Sequence, residues 1–143
     1  MKKLEFFLLS SLLACSPVTE KIDTNVIIPR IQYTGGADNA SYSEAKLIRE
    51  GECLYLEHTD SSKVLPIFAT ETVNWDSKTQ SLKVDSDTYF LGGKVAYGGG
   101  QSYPLKKNDY AWITEVDHSC DSSQVIIINR LIRPIEQNYR NEE

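Results

Sequence analysis

The sequence predicts an all-β domain, and three observations carry that prediction. Short runs rich in β-branched and aromatic residues recur roughly every 8–12 residues, and we expect seven or eight of them to be strands. Turn-forming clusters of Gly, Asp, Asn and Ser separate these runs. No segment of helical length shows a clear 3.6-residue period of apolar residues. Together they favour a small single-domain barrel, partly open and of the OB type. A β-sandwich is the alternative, because its strands alternate in the same way.

Four runs in the first half of the chain provide its strand candidates. The run at 45–49 is compatible with either a strand or a helical turn. A polar segment around 59–63 predicts a hairpin between two apolar runs, and Pro66 in the second of them favours a position at the sheet edge. The four runs are residues 26–33, 45–49, 53–57 and 64–68.

The second half of the chain continues the same pattern. Asp85-Ser86-Asp87 predicts a turn, and the glycines at 92–93 and 98–100 fit the sharp bends of barrel corners. The unbroken Val-Ile-Ile-Ile from residue 125 predicts a strand buried on both faces, extending to residue 132. The candidate strands here are residues 72–76, 82–84, 89–91, 95–97, 111–116 and 125–132.

The beginning of the chain has the composition of a secretory signal. Lys2 and Lys3 precede an apolar run that ends at Ala14, and a cysteine follows directly. The run is about ten residues long, whereas a bilayer-spanning helix needs about 20. It is therefore too short to remain as a membrane span.

The segment Leu12-Leu13-Ala14-Cys15 resembles the lipobox of bacterial lipoproteins. The resemblance implies that signal peptide 1–14 is removed and that lipid on the Cys15 thiol anchors the chain to a membrane. Ser16 stands where Asp would signal inner-membrane retention. The resemblance thus implies the outer membrane in a Gram-negative host, or the outer face of the plasma membrane in a Gram-positive one. After Cys15 we expect a flexible tether over 15–29, the β domain over 30–136 and a polar tail over 137–143.

The charge balance narrows the range of partners. The chain carries 15 basic and 20 acidic residues, a net charge of −5. An acidic protein repels the phosphate backbone, so nucleic acid is not an expected partner. It also gains no attraction from anionic lipid headgroups, so we expect the acyl chains on Cys15 to provide the membrane contact.

Two of the three cysteines remain once Cys15 is assigned to lipid, namely Cys53 and Cys120. An exported protein favours a disulfide between them, and the chain-entropy model assigns such a cross-link roughly 4 kcal/mol. Two unpaired buried thiols are the alternative.

No segment completes a known catalytic or cofactor motif. The glycines from Gly93 to Gly98 have phosphate-loop spacing but lack the Lys-Ser/Thr that must follow. The segment around Ser102 lacks the final glycine of a nucleophile elbow. His58 and His118 are the remaining metal candidates, because both lie close in sequence to the predicted disulfide, but zinc needs three or four ligands. We therefore expect neither a metal nor another cofactor.

Aromatic residues at predicted loop edges form the candidate binding surface: Trp75, Tyr97, Tyr103 and Tyr110. Tyr and Trp give large contact areas at low entropic cost, which suits recognition. Flexible glycines separate two of them, Tyr97 and Tyr103. The alternative is that these side chains are ordinary strand residues that fill the core.

These observations predict an envelope lipoprotein, anchored through Cys15, whose β domain is not an enzyme. Its expected partner is an envelope protein or a cell-wall glycan. The alternative is a small envelope enzyme that acts on peptidoglycan or another secreted substrate through His58 or His118.

Overall fold

The computed structural model describes residues 25–32, 42–70, 72–98 and 101–134. These ranges contain eleven strands and one 3-10 turn at Lys107–Asp109, and no helix within them has the length and apolar character needed to cross a membrane. The strands are β1 (Arg30–Ile31), β2 (Tyr42–Glu50), β3 (Cys53–Glu57), β4 (Lys63–Phe68), β5 (Val73–Asp76), β6 (Ser81–Val84), β7 (Asp87–Phe90), β8 (Lys94–Gly98), β9 (Trp112–Thr114), β10 (Val125–Ile128) and β11 (Arg130–Ile132).

Eight strands form one mixed sheet in the order β11-β8-β2-β3-β4-β1-β9, with β10 also paired to β4. Most pairs are antiparallel, whereas β1 and β10 run parallel to β4. The all-β class is thus confirmed. Among the described strands the path from β11 to β9 does not close on itself, so the barrel stays a prediction.

The second sheet is a three-stranded antiparallel meander, β5-β6-β7. The Asp76 carboxylate caps its first turn by accepting the amide hydrogens of Lys78 and Thr79. The second turn has two residues, and Asp85 adopts a positive φ of 53°, a conformation that Asp and Asn tolerate better than most residues. The turn predicted at 85–87 is therefore present.

The central strands of the large sheet are buried on both faces. In β3, Leu54 and Leu56 face one core, whereas Cys53 and Tyr55 face the other, as the two-residue period of a strand requires. Core one lies between the large sheet and the meander. Its residues are Ala45, Leu47, Leu54, Leu56, Val64, Phe68, Val73, Leu82, Val84, Tyr89, Val95, Tyr97, Ile126, Ile128 and Leu131. Core two lies on the opposite face and comprises Ile31, Cys53, Tyr55, Leu65, Ile67, Ala69, Val116, Cys120 and Val125.

The run at 125–132 is two strands rather than the one predicted. β10 pairs in parallel with β4, the chain breaks at Asn129, and β11 pairs antiparallel with β8. β10 itself is buried on both faces, as its apolar run predicts. The break was missed because hydrophobicity records which residues are buried and carries no information on which strand they pair with.

Pro66 lies in a strand with partners on both sides, which corrects the predicted edge position. The Leu65 amide donates to Gln124 on the β10 side. Backbone groups alternate along a strand, so the nitrogen of Pro66 faces the opposite side. On that side, β3 pairs only with Lys63 and Val64 of β4, and β1 pairs only with Phe68. The missing N–H of Pro66 therefore falls in the gap between two partners.

Residues 26–29, the end of the predicted tether, pack on the domain. Val26 and Ile28 pack against core one, the Ile27 amide donates to Glu52, and the Pro29 carbonyl accepts from Phe68. Apolar side chains in this segment favour docking over solvation. The lipobox with Cys15, the rest of the tether and the tail 137–143 lie outside the described residues.

Gly92 and Gly93 form the turn between β7 and β8 rather than a bend within one strand. Gly92 has φ 78°, which L-residues rarely adopt, and its amide donates to Leu47. Gly98 ends β8, and the corner predicted from its two following glycines falls outside the described residues. The uncertain segment at 45–49 is strand, because it lies within β2.

Candidate functional site

The four aromatic residues of the predicted binding surface do not come together. Tyr97 lies inside β8, is only 3% exposed and belongs to core one, which corrects its predicted loop position. Trp75 in β5 also packs against core one, with the Arg49 guanidinium 5.9 Å from its ring centroid. Tyr103 and Tyr110 instead pack against core two. All four side chains therefore contact a core, and Tyr97 is the one that is fully buried.

Tyr103, Tyr110 and Trp112 form a half-buried group on the core-two side, which we call the aromatic cluster. The hydroxyls of Tyr103 and Tyr110 hydrogen-bond to each other. The rings of Tyr110 and Trp112 meet edge to face, with centroids 5.3 Å apart. Trp112 was not predicted as a site residue, although the Tyr110-x-Trp112 spacing would have placed both side chains on one face of an extended strand.

The backbone beneath the aromatic cluster is tied down at several points. Tyr103 exchanges two backbone hydrogen bonds with Val125 of β10, of 3.1 and 2.8 Å. The indole Nε1 of Trp112 donates to the Lys107 carbonyl at 2.8 Å. Burial raises the pKa of Tyr110 well above its usual range, and its hydrogen bond to Tyr103 raises it further. The aromatic cluster is therefore held in place by hydrogen bonds and combines apolar rings with polar hydroxyls.

The predicted disulfide between Cys53 and Cys120 is present, with a Cα–Cα distance of 5.7 Å. It connects β3 to the loop before β10 inside core two, the same core that supports the aromatic cluster. Nearby, the Asp121 amide donates to the Tyr55 hydroxyl at 2.8 Å. The layer that carries the aromatic cluster is thereby cross-linked to the central sheet.

His58 lies at the tip of the β3–β4 hairpin and both of its ring nitrogens are hydrogen-bonded. Nδ1 is 3.2 Å from the Ser62 hydroxyl, and Nε2 is 2.6 Å from the Tyr97 hydroxyl. Ser62 donates its only hydroxyl hydrogen to Asp60, so it must accept from Nδ1–H. In the neutral ring Nε2 then accepts from Tyr97. His58 thus connects the hairpin tip to core one.

His118 has a different environment from His58. Its side chain is 94% exposed and its Nδ1 lies 3.7 Å from the Asp117 carboxylate. Asp117 also accepts from the amide and the hydroxyl of Ser119, and these hydrogen bonds lower its pKa. Across the part of the chain that the structure describes, no three His, Cys, Asp or Glu side chains are grouped to hold a metal ion.

A groove of about 410 Å³ opens beside the β3–β4 turn and includes His58, one of the two histidines that the sequence indicated. β2 and β3 pair only from Lys46 to Glu50, so the start of β2 extends past the end of β3. The hairpin turns away at His58, and the space between the two strands is the groove, which we call the fork groove. Its charged lining residues are Glu44, Lys46, Glu57 and Lys94.

Comparison of the chain with protein-family models, with curated proteins and with solved structures finds no match.

Proposed function

We propose that the protein is an envelope lipoprotein, anchored through Cys15, whose β domain binds an envelope component through the aromatic cluster. The observation that carries this proposal is the fixed, partly exposed arrangement of Tyr103, Tyr110 and Trp112. The partner class is an envelope protein or a cell-wall glycan.

The aromatic cluster has the properties of a recognition surface. Tyr and Trp dominate the energetics of many interfaces because a large, amphipathic ring is fixed by only two torsions. The Trp112 and Tyr103 contacts already hold these rings in place. Binding therefore orders few additional side chains, which reduces its entropic cost.

The proposed anchor places this surface close to a membrane. Residues 26–29 pack on the domain, which leaves about ten residues after Cys15 as linker. A flexible linker of that length spans on average roughly 17 Å. The domain would then sample partners in the membrane-proximal layer, either proteins or wall material.

A small envelope enzyme acting on peptidoglycan or another secreted substrate is the second candidate function. It is favoured by the fork groove, which carries His58 together with the carboxylates of Glu44 and Glu57. Both ring nitrogens of His58 are engaged within the protein, however. A general base needs a nitrogen that reaches the substrate, and for this reason we place binding first.

In-cell photo-crosslinking tests the binding proposal. A photoreactive phenylalanine analogue at Tyr110 should give a discrete crosslinked product, because the partner covers the aromatic cluster. The matched control places the same analogue at Phe90, which is 57% exposed and lies in the meander. Adding Trp112→Ala should lower the yield at Tyr110 about tenfold, as loss of a central interface aromatic does.

The nature of the product identifies the partner class. A product of defined mass indicates a protein, and a product released only by digestion of the wall indicates a glycan. Equal crosslinking at Tyr110 and Phe90, or none at Tyr110, would contradict the proposal.

A further inference from the structure

The fork groove carries a second inference, which is independent of the aromatic cluster and takes only the sources of its ligand from the proposed envelope location. Lys46 of β2 stands directly opposite Lys94 of β8 and, on its other side, opposite Glu57 of β3. Directly opposed residues have Cβ atoms about 4.5–5.5 Å apart, and like charges in this arrangement are destabilising. The two lysines thus place adjacent positive charges at the wall of a concave site.

In the described residues neither Lys46 nor Lys94 has an ion-pair partner within 4.0 Å, although Glu57 stands opposite Lys46 in the sheet. Two other lysines are paired, since Lys63 contacts Glu50 at 2.6 Å and Lys83 contacts Asp76 at 3.1 Å, whereas the remaining lysines of the described residues have no ion-pair partner within 4.0 Å. An anionic group between Lys46 and Lys94 would relieve their repulsion. Glu44 and Glu57 balance the charge of the two lysines, so the groove disfavours a ligand with several negative charges.

The groove also contains an open strand edge. The amide and carbonyl of Leu47 bond to Gly93 and Gly92, so they face β8. Backbone groups alternate along a strand, so the amide and carbonyl of Glu44 face the opposite edge. If β3 continued in the same register, a residue near Thr59 would pair with Glu44. At Thr59, however, the chain already lies in the turn, which is closed by a hydrogen bond from the His58 amide to the Ser62 carbonyl. An extended peptide can pair with such an edge.

We propose that the fork groove binds the carboxyl end of a short peptide. Its terminal carboxylate lies between the ammonium groups of Lys46 and Lys94, and its backbone pairs with the open edge of β2 at Glu44. A volume of about 410 Å³ is within the range of small-ligand sites. Such peptides have two sources in an envelope, the L-residue ends of cleaved proteins and the D-residue-containing peptides of the cell wall.

Titration of the ¹⁵N-lysine-labelled full chain in detergent micelles tests this proposal. The probes are L-Ala-L-Ala, D-Ala-D-Ala and the C-terminal amide of each dipeptide. We expect saturable shifts of the Lys46 and Lys94 amide resonances with one enantiomer of the free acid. The matching amide should bind about tenfold more weakly, because it lacks the charge that the lysines recognise.

Lysine variants locate the site. Lys46→Gln and Lys94→Gln should each weaken binding about fivefold to tenfold, whereas Lys78→Gln, at an exposed turn position of the meander, should leave it unchanged. The preferred enantiomer then identifies the source, since D-Ala-D-Ala represents wall peptide and L-Ala-L-Ala a protein end.

Three results would overturn the proposal: no saturable shift with any dipeptide, equal affinity for acid and amide, or equal affinity for the two enantiomers. The last result excludes pairing with the β2 edge, because strand addition presents side chains with one handedness. None of these results affects the aromatic cluster, so the two proposals fail separately.

Discussion

Replacing Phe68 with alanine should lower the free energy of unfolding by about 3–5 kcal/mol, the range for aromatic truncation in a packed core. Phe68 is 1% exposed and belongs to core one. Phe68 belongs to β4 and lies where three strands meet, because it pairs with Ile128 of β10 and with Arg30 of β1. The strands around it are fixed by their ladders, so the vacated space cannot collapse fully and most of the cavity cost remains.

The matched control for this variant is Phe90→Ala. Phe90 is the same residue type but is 57% exposed in the meander. Its removal should change the free energy of unfolding by no more than about 0.5 kcal/mol. Urea unfolding followed by circular dichroism measures both variants. Similar losses for Phe68→Ala and Phe90→Ala would contradict the assignment of core one.

Removing the disulfide should lower the free energy of unfolding by about 2–5 kcal/mol. Cys53 and Cys120 are 67 residues apart, so the cross-link restricts a long loop in the unfolded chain. Both cysteines are also buried in core two. We propose the double variant Cys53→Ala with Cys120→Ala, which avoids leaving one unpaired thiol.

Reductant provides the control for the disulfide variant. Dithiothreitol should shift the urea midpoint of the wild type towards that of the double variant and leave the double variant unchanged. In the double variant, the near-ultraviolet circular dichroism signal of Tyr110 and Trp112 should also be weaker than in the wild type, because core two supports the aromatic cluster. A wild-type midpoint that does not respond to reductant would contradict the stabilising role of the cross-link.

Local chemistry explains the features that the sequence predicted correctly. The turn at 85–87 needs residues that tolerate a positive φ, and Asp85 is such a residue. The hairpin around 59–63 is rich in Asp and Ser, and the Asp60 carboxylate indeed accepts from the amide and hydroxyl of Ser62. The disulfide followed from counting, because only Cys53 and Cys120 remained to be paired.

The features that the sequence missed depend on contacts between distant segments. Alternating hydrophobicity indicates the face of a strand but not its neighbour, so neither the parallel pairing of β10 nor the break at Asn129 could be read from the run at 125–132. Glycines after Tyr97 suggested a loop, whereas the residue lies in the core and contacts His58. The fork groove exists because β2 is longer than the part of it that pairs with β3.

The most direct test of the account is the chemical state of Cys15, determined by mass spectrometry of the N-terminal peptide from membrane fractions. We expect a mature chain that begins at Cys15 and carries a diacylglycerol thioether. In the Cys15→Ser variant we expect neither the lipid nor the processing. A chain cleaved at another residue, or a Cys15→Ser protein that stays bound to the membrane without lipid, would contradict the anchor and with it the proposed envelope function.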